Sequence, residues 1–139
     1  MSLVLDASLT LSWFFKDERT PGADAVLTEV TENGAVVPAL WRLEVANALQ
    51  MAVRRKRIDA AFRDLALTQL SRLSISADTD AYAWTVILQL ADRFQLTLYD
   101  AAYLELASRR GLPLATLDRD LREASAALGI TLLGVEPAN

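Results

Sequence analysis

The chain has 139 residues, 53% of them hydrophobic, with 14 basic and 18 acidic side chains and a net charge of −4. That balance excludes a disordered chain and argues against nonspecific binding to duplex nucleic acid; it fits one folded domain over residues 1–139, and no apolar run approaches the ~20 residues that span a bilayer, so a cytoplasmic protein is expected. The absence of Cys and His removes disulfides, thiolate zinc sites and imidazole catalysis, leaving carboxylates, hydroxyls, Lys, Arg or an oxygen-bound metal to carry any chemistry.

Leu3 to Leu5 reads as a short buried strand that runs straight into Asp6-Ala7-Ser8 and a helix to about Phe15. An Asp just before a helix is a common N-cap, so Asp6 fits a cap and a ligand equally, and the two roles are compatible. Thr20, Pro21 and Gly22 open a second helix to about Thr31, Glu32-Asn33-Gly34 turns the chain, and Ala35-Val36-Val37 forms a second strand ended by Pro38. The next helix, from about Ala39 to Arg55, carries Leu40, Leu43, Ala48 and Met51 at near-helical spacing, with Glu44 and Asn47 beside that face. Ile58 to Leu73 gives a fourth helix, Leu73 to Ala77 a third strand, and Thr79 to Phe94 a helix whose Tyr82, Trp84, Ile87, Leu88 and Leu90 are candidates for core or interface. Thr97 followed by Asp100 marks another helix start, with Leu98, Ala101, Ala102, Leu106 and Ala107 on the apolar face, and Gly111 and Pro113 stop that helix. Leu114-Ala115 is a short buried strand with Thr116-Leu117-Asp118 at its C-terminal end. A last helix begins around Arg119 and ends at Gly129, and Ile130 to Val135 is the fifth strand.

Short strands alternating with helices imply an α/β fold: a three-layer α/β/α sandwich around a mostly parallel five-stranded sheet, with about seven helices and right-handed crossovers. In such sheets ligands bind at the C-terminal ends of the strands. Asp6 and Asp118 end different strands on that edge, Asp100 opens the helix before the strand of Asp118, and Glu44 lies in the first turns after strand two. Four carboxylates are therefore expected to converge, with Glu105 facing away from them. Two like charges ~4 Å apart repel by about 4 kcal/mol at an effective dielectric of 20, so such a cluster calls for a cation or bound protons. Mg²⁺ and Mn²⁺ favour oxygen ligands and keep several waters, one of which can be activated against a phosphodiester. Without His, metal-assisted phosphoryl hydrolysis is the reaction class these residues support. The basic clusters Arg54-Arg55-Lys56-Arg57, Arg109-Arg110 and Arg119 with Arg122 read better as solvated helix ends near a C-terminal dipole than as phosphate contacts.

The ordered motifs LVLDAS, LEVANAL, YDAAYLELA and PLATLDRDL resemble the PIN-domain family, and within it the VapC-type toxins of bacterial toxin–antitoxin pairs, over nearly the whole chain. The resemblance implies a PIN-like fold and an endoribonuclease dependent on Mg²⁺ or Mn²⁺, in which Asp6, Glu44, Asp100 and Asp118 are the matching catalytic and metal-holding acids. It further implies an RNA substrate, a cognate antitoxin and a homodimer. Thr116, in the T-x-D pattern, would support the cluster by hydrogen bonding. Asp120 is treated as a supporting acid, although an acid favoured by the dipole in a first helical turn is the better reading. Ser8 reads as a cap or supporting hydroxyl rather than a nucleophile, because no general base stands by to activate it. Asn47 either orients Glu44 or faces solvent. An antitoxin is expected to set an Arg against the acids, since a guanidinium bonds carboxylates bidentately. Trp13, Phe14, Phe15, Trp41 and Trp84 suit a partner surface or the core equally. Among alternatives, a haloacid-dehalogenase-like phosphatase would need a second Asp where Ser8 stands, and a receiver domain would need a Lys beyond Lys56. The remaining alternative is a catalytically inactive PIN-like module that binds RNA or a protein, against which the retention of four acids speaks.

Overall fold

A computed structural model describes residues 2–79 and 84–135. The chain forms β1 (Val4–Leu5), α1 (Ala7–Ser12), α2 (Pro21–Asn33), β2 (Ala35–Pro38), α3 (Trp41–Arg54), α4 (Ala60–Ser71), β3 (Ile75–Asp78), α5 (Trp84–Phe94), α6 (Leu98–Arg110), β4 (Leu114–Ala115), α7 (Arg119–Ala127) and β5 (Leu132–Leu133). The five strands make one sheet in the order β3-β2-β1-β4-β5, and every pairing is parallel. Because right-handed crossovers carry the chain from β1 out to β3 and then back past β1 to β4 and β5, α1 to α4 cover one face and α5 to α7 the other. The direction reverses between β1 and β4, where Leu5 pairs with Ala115. This is the switch point at which an α/β sheet opens a crevice.

Strands this short hold because both faces are buried: Leu3, Val4, Leu5, Val37, Leu114 and Ala115 are shielded from water. The helices start where the sequence supplies a cap. Thr20 accepts from the Ala23 N–H, Asp59 from Phe62, Thr97 from Asp100 and Asp118 from Leu121. At the far end of α6, Gly111 takes the left-handed conformation (φ 64) that closes the helix.

Several boundaries and faces depart from the reading of the sequence. Helix α1 stops at Ser12 rather than near Phe15, because Trp13 and Phe15 are buried and the Trp13 indole N–H donates to the Ala23 carbonyl at 2.9 Å, which turns the chain out of the helix. In α3 the buried stripe is Trp41, Val45, Leu49 and Ala52; Leu43 is 77% exposed. Trp41 sets that rotation, burying its ring and donating to the Thr10 hydroxyl at 3.2 Å. In α6 the buried run from Ala101 to Ala107 includes all faces, because this helix lies between the sheet and its neighbours α5 and α7, and Leu98 is exposed. Of the five aromatic candidates for a partner surface, Trp13, Phe15 and Trp41 belong to the core, Phe14 is half-buried and Trp84 is exposed. Tyr82, expected in core or interface, lies outside the described residues. Strand β3 ends at Asp78 and β5 is limited to Leu132–Leu133. Among the described residues no helix is long and apolar enough to cross a membrane.

Candidate active site

Asp6 follows β1 directly and occupies the N-cap position of α1, but its side chain makes no cap bond. Its Oδ2 instead accepts from the hydroxyls of Ser8 and Thr116, each at 2.6 Å, while only 4% of the residue is exposed. The cap reading of Asp6 is thereby separated from its side chain: the position is a helix start, and the carboxylate belongs to the strand edge. Burial pushes its pKa above the ordinary carboxyl range, the two hydroxyls pull against that, and the charge of Asp118 adds to the rise.

Thr116 joins the two strands at the switch point. Its hydroxyl donates to Asp6 and accepts the Asp118 N–H at 3.0 Å, and Ser8 in turn accepts the Leu117 N–H at 3.2 Å. Thr116 is fully buried, so these bonds satisfy a group that would otherwise be costly there. Ser8 is thus a donor to Asp6 that also pins the chain after β4. Asp118 is the N-cap of α7, its Oδ1 accepting the Leu121 N–H at 2.9 Å.

The other two acids come from helices on opposite faces of the sheet. Glu44 lies in the first turn of α3 and its Oε1 accepts from the phenol of Tyr103 at 2.6 Å. Burial raises its pKa, the Tyr103 bond opposes this, and the charges of Asp6 and Asp100 add to the rise. Asp100, in the first turn of α6, is raised by burial and then by the charges of Asp118, Asp6 and Asp120. The charges of Asp118 on Asp6, of Asp6 and Asp100 on Glu44, and of Asp118 and Asp6 on Asp100 thus all disfavour ionisation. Among the described residues none of the four stands in an ion pair; Arg57, Arg109, Arg110 and Arg119 are committed elsewhere, to Asp17 and Glu18, to Asp78 and Glu105, to Asp78, and to Glu123. The Arg122 guanidinium donates to the Thr116 carbonyl at 2.9 Å.

The supporting residues divide. Ser8 and Thr116 contact the cluster, Asp120 is exposed in the first turn of α7 and acts on Asp100 through charge alone, and Asn47 is exposed on α3. The group that holds Glu44 is Tyr103, which the sequence reading passed over. Its signal was a Tyr in the interior of an apolar helix, three residues after Asp100, whose hydroxyl must find a partner. Glu105 does face away, but it is buried and takes two bonds from Arg109, at 2.7 and 3.3 Å, so it is a structural residue.

An all-oxygen, net-negative set of donors suits a hard divalent ion. Among the described residues, however, no three acidic side chains are gathered closely enough to hold one directly. The arrangement fits an ion bound through one or two carboxylates and otherwise hydrated, which is how Mg²⁺ commonly binds. Asp6, Glu44 and Asp118 are each held by a protein donor on one oxygen, Oδ2, Oε1 and Oδ1 respectively, which limits their rotation about the crevice.

The fold and site define a parallel α/β protein with an acidic centre at its switch point. The family model described as PIN domain matches residues 3–127, and the chain belongs to the PIN-domain family. It is 32% identical over 130 residues to a protein of Pyrobaculum aerophilum named Ribonuclease VapC3, covering 92% of this chain and 98% of that relative, in line with the VapC-type resemblance of its motifs. The crystal structure of PAE2754 from the same organism superposes with a TM-score of 0.70 at 25% identity, over 89% of this chain and 84% of the other.

Proposed function

We propose that the chain is a single PIN domain acting as an endoribonuclease that requires Mg²⁺ or Mn²⁺, the toxin of a toxin–antitoxin pair. What supports this reading is the position of Asp6 and Asp118 after adjacent strands at the switch point, with Glu44 and Asp100 in the first turns of helices on the two faces and no ion pair to any of the four among the described residues. The name of the relative Ribonuclease VapC3 supports RNA as the substrate.

One or two of Asp6, Glu44, Asp100 and Asp118 would hold the ion directly, and the others would act on it through its waters. When bound, it lowers the pKa of a coordinated water and offsets charge that builds on the phosphate. The protein's own part is positional. Ser8 and Thr116 keep the Asp6 carboxylate fixed despite the desolvation that disfavours its charge, and Thr116 and Leu121 hold the Asp118 backbone and side chain in register with it. An antitoxin would silence the site by supplying a guanidinium to these acids, and a homodimer in the cytoplasm completes the reading.

A second reading, a PIN-like module that binds RNA or a protein without cleaving it, draws on the lack of a closed three-acid group among the described residues. Incubating the purified protein with total RNA in Mg²⁺, Mn²⁺ or EDTA separates the two. Cleavage should need the metal, and Asp6→Asn, Glu44→Gln, Asp100→Asn and Asp118→Asn should each reduce it by about 100-fold or more while the fold is kept. Ser8→Ala should cost far less. Near wild-type cleavage by two of the four acid variants would sink the shared-site assignment.

A further inference from the structure

We infer that Tyr103 is a positioning residue for Glu44, fixing which carboxylate oxygen faces the acidic centre and thereby coupling the two helical layers that build the site. The inference rests on the metal-dependent reading of the site. Tyr103 is fully buried, and its hydroxyl donates to Glu44 Oε1 at 2.6 Å, a length typical of an O–H bonded to a carboxylate. Among the described residues no protein donor reaches Oε2, so the bond selects one oxygen and leaves the other to an ion or its waters.

The geometry follows from the helix period. Tyr103 lies three residues after Asp100 on α6, so one helix supplies an acid and, on the adjacent position of the same side, the phenol that holds another acid. Glu44 belongs to α3, on the opposite face of the sheet, and no residue of α3 bonds its carboxylate. A Glu side chain has three rotatable bonds to lose, and a tether from a buried, rotamerically fixed ring restricts it where a partner on its own exposed helix face would not. Because the ring is sealed from solvent, Tyr103 touches neither RNA nor water in the crevice. Its influence passes chiefly through Glu44, while the same phenol also lies near the Ala7 backbone and the charge of Asp6. Donors that orient metal-binding side chains are worth roughly 10 to 100-fold in metal affinity or activity.

The test uses the whole protein, with Mn²⁺ as the calorimetric probe and Mg²⁺ for proton NMR. Tyr103→Phe keeps the ring in its packing and removes only the hydroxyl. It should weaken Mn²⁺ binding by about 10-fold or more and lower kcat with little change in KM for RNA, and the double variant with Glu44→Gln should bind no more weakly than Glu44→Gln alone. The phenolic proton of Tyr103 in the wild type should also shift as Mg²⁺ is titrated, a readout that needs no substitution. Wild-type Mn²⁺ affinity and cleavage in Tyr103→Phe, full additivity of the two substitutions, or a phenolic resonance indifferent to Mg²⁺ would each overturn the role of Tyr103. Absence of Mn²⁺ binding by the wild type would instead remove the metal reading and this inference together.

Discussion

Replacing Asp100 by Asn tests the cluster without any substrate. The substitution leaves the Thr97 cap on the residue 100 N–H in place and removes one negative charge from a half-buried carboxyl that burial, Asp118, Asp6 and Asp120 all push above its ordinary pKa. The sign follows from linkage. A carboxyl whose folded pKa is raised contributes stability that is fully present below its unfolded value, ~3.9 for Asp and ~4.3 for Glu, and that is lost as pH rises through the folded value. At pH 7 the metal-free cluster therefore weakens the fold, and stability due to Asp6, Glu44 and Asp100 should return on acidification toward those unfolded values. Like charges ~6 Å apart repel by about 0.7 kcal/mol in bulk water and about 2.8 kcal/mol at an effective dielectric of 20. Solvent screening of a half-exposed site favours the lower end. Asp100→Asn should thus stabilise the protein in EDTA by ~1 kcal/mol, or roughly 3 to 6 °C in Tm. Mg²⁺ at about ten times its Kd should add ~1.4 kcal/mol to the wild type and less to the variant. Thermal melts of wild type, Asp100→Asn and the exposed control Asp92→Asn, in EDTA and in Mg²⁺, decide the matter. A lower Tm for Asp100→Asn in EDTA, with equal Mg²⁺ shifts for all three proteins, would refute the reasoning.

Asp78, whose side chain is 6% exposed, accepts from both Arg109 and Arg110. The Arg109 bond leads in holding its pKa below the ordinary range. Its contribution is therefore present above the unfolded value, ~3.9, and lost as pH falls through the folded one; because both arginines are partly exposed and Arg109 keeps Glu105, Asp78→Ala should cost about 1 kcal/mol at pH 7, and a loss below ~0.3 kcal/mol by denaturant titration would show the pair to be dispensable. If an antitoxin inhibits by setting a guanidinium on the acids, substituting that Arg by Met should abolish inhibition without abolishing complex formation, and co-purifying variants assayed for RNA cleavage would expose a tail that inhibits from elsewhere.

How far the sequence reached depends on the range of the interactions involved. Asp6 and Asp118 were legible because a short apolar run followed by Asp and a helix start is a local pattern, and a parallel sheet brings such ends together. The face of α3 was not, since this helix carries two apolar stripes, one through Leu40 and Leu43 and one through Trp41, Val45 and Leu49, and periodicity cannot choose between them. The choice is made by the Thr10 hydroxyl meeting the Trp41 indole, a contact between residues 31 apart. Tyr103 escapes a local reading for the same reason: its partner Glu44 lies on another element. Glu105 faces away as expected, and its burial rests on Arg109 of the same helix, which in turn reaches Asp78 of β3.

The bond from Thr116 to Asp6 joins residues 110 apart in the chain. Closing a flexible loop of that length costs on the order of 4 kcal/mol in chain entropy before any contact rewards it. The β1–β4 pairing that brings these residues together therefore bears a larger loop-closure cost than the β1–β2 pairing does. During synthesis, a nascent chain ending before Asp100 carries Asp6 and Glu44 but has neither Tyr103 to hold Glu44 nor Thr116 to hold Asp6. The acidic centre is thus a property of the finished fold rather than of any one stretch of the chain.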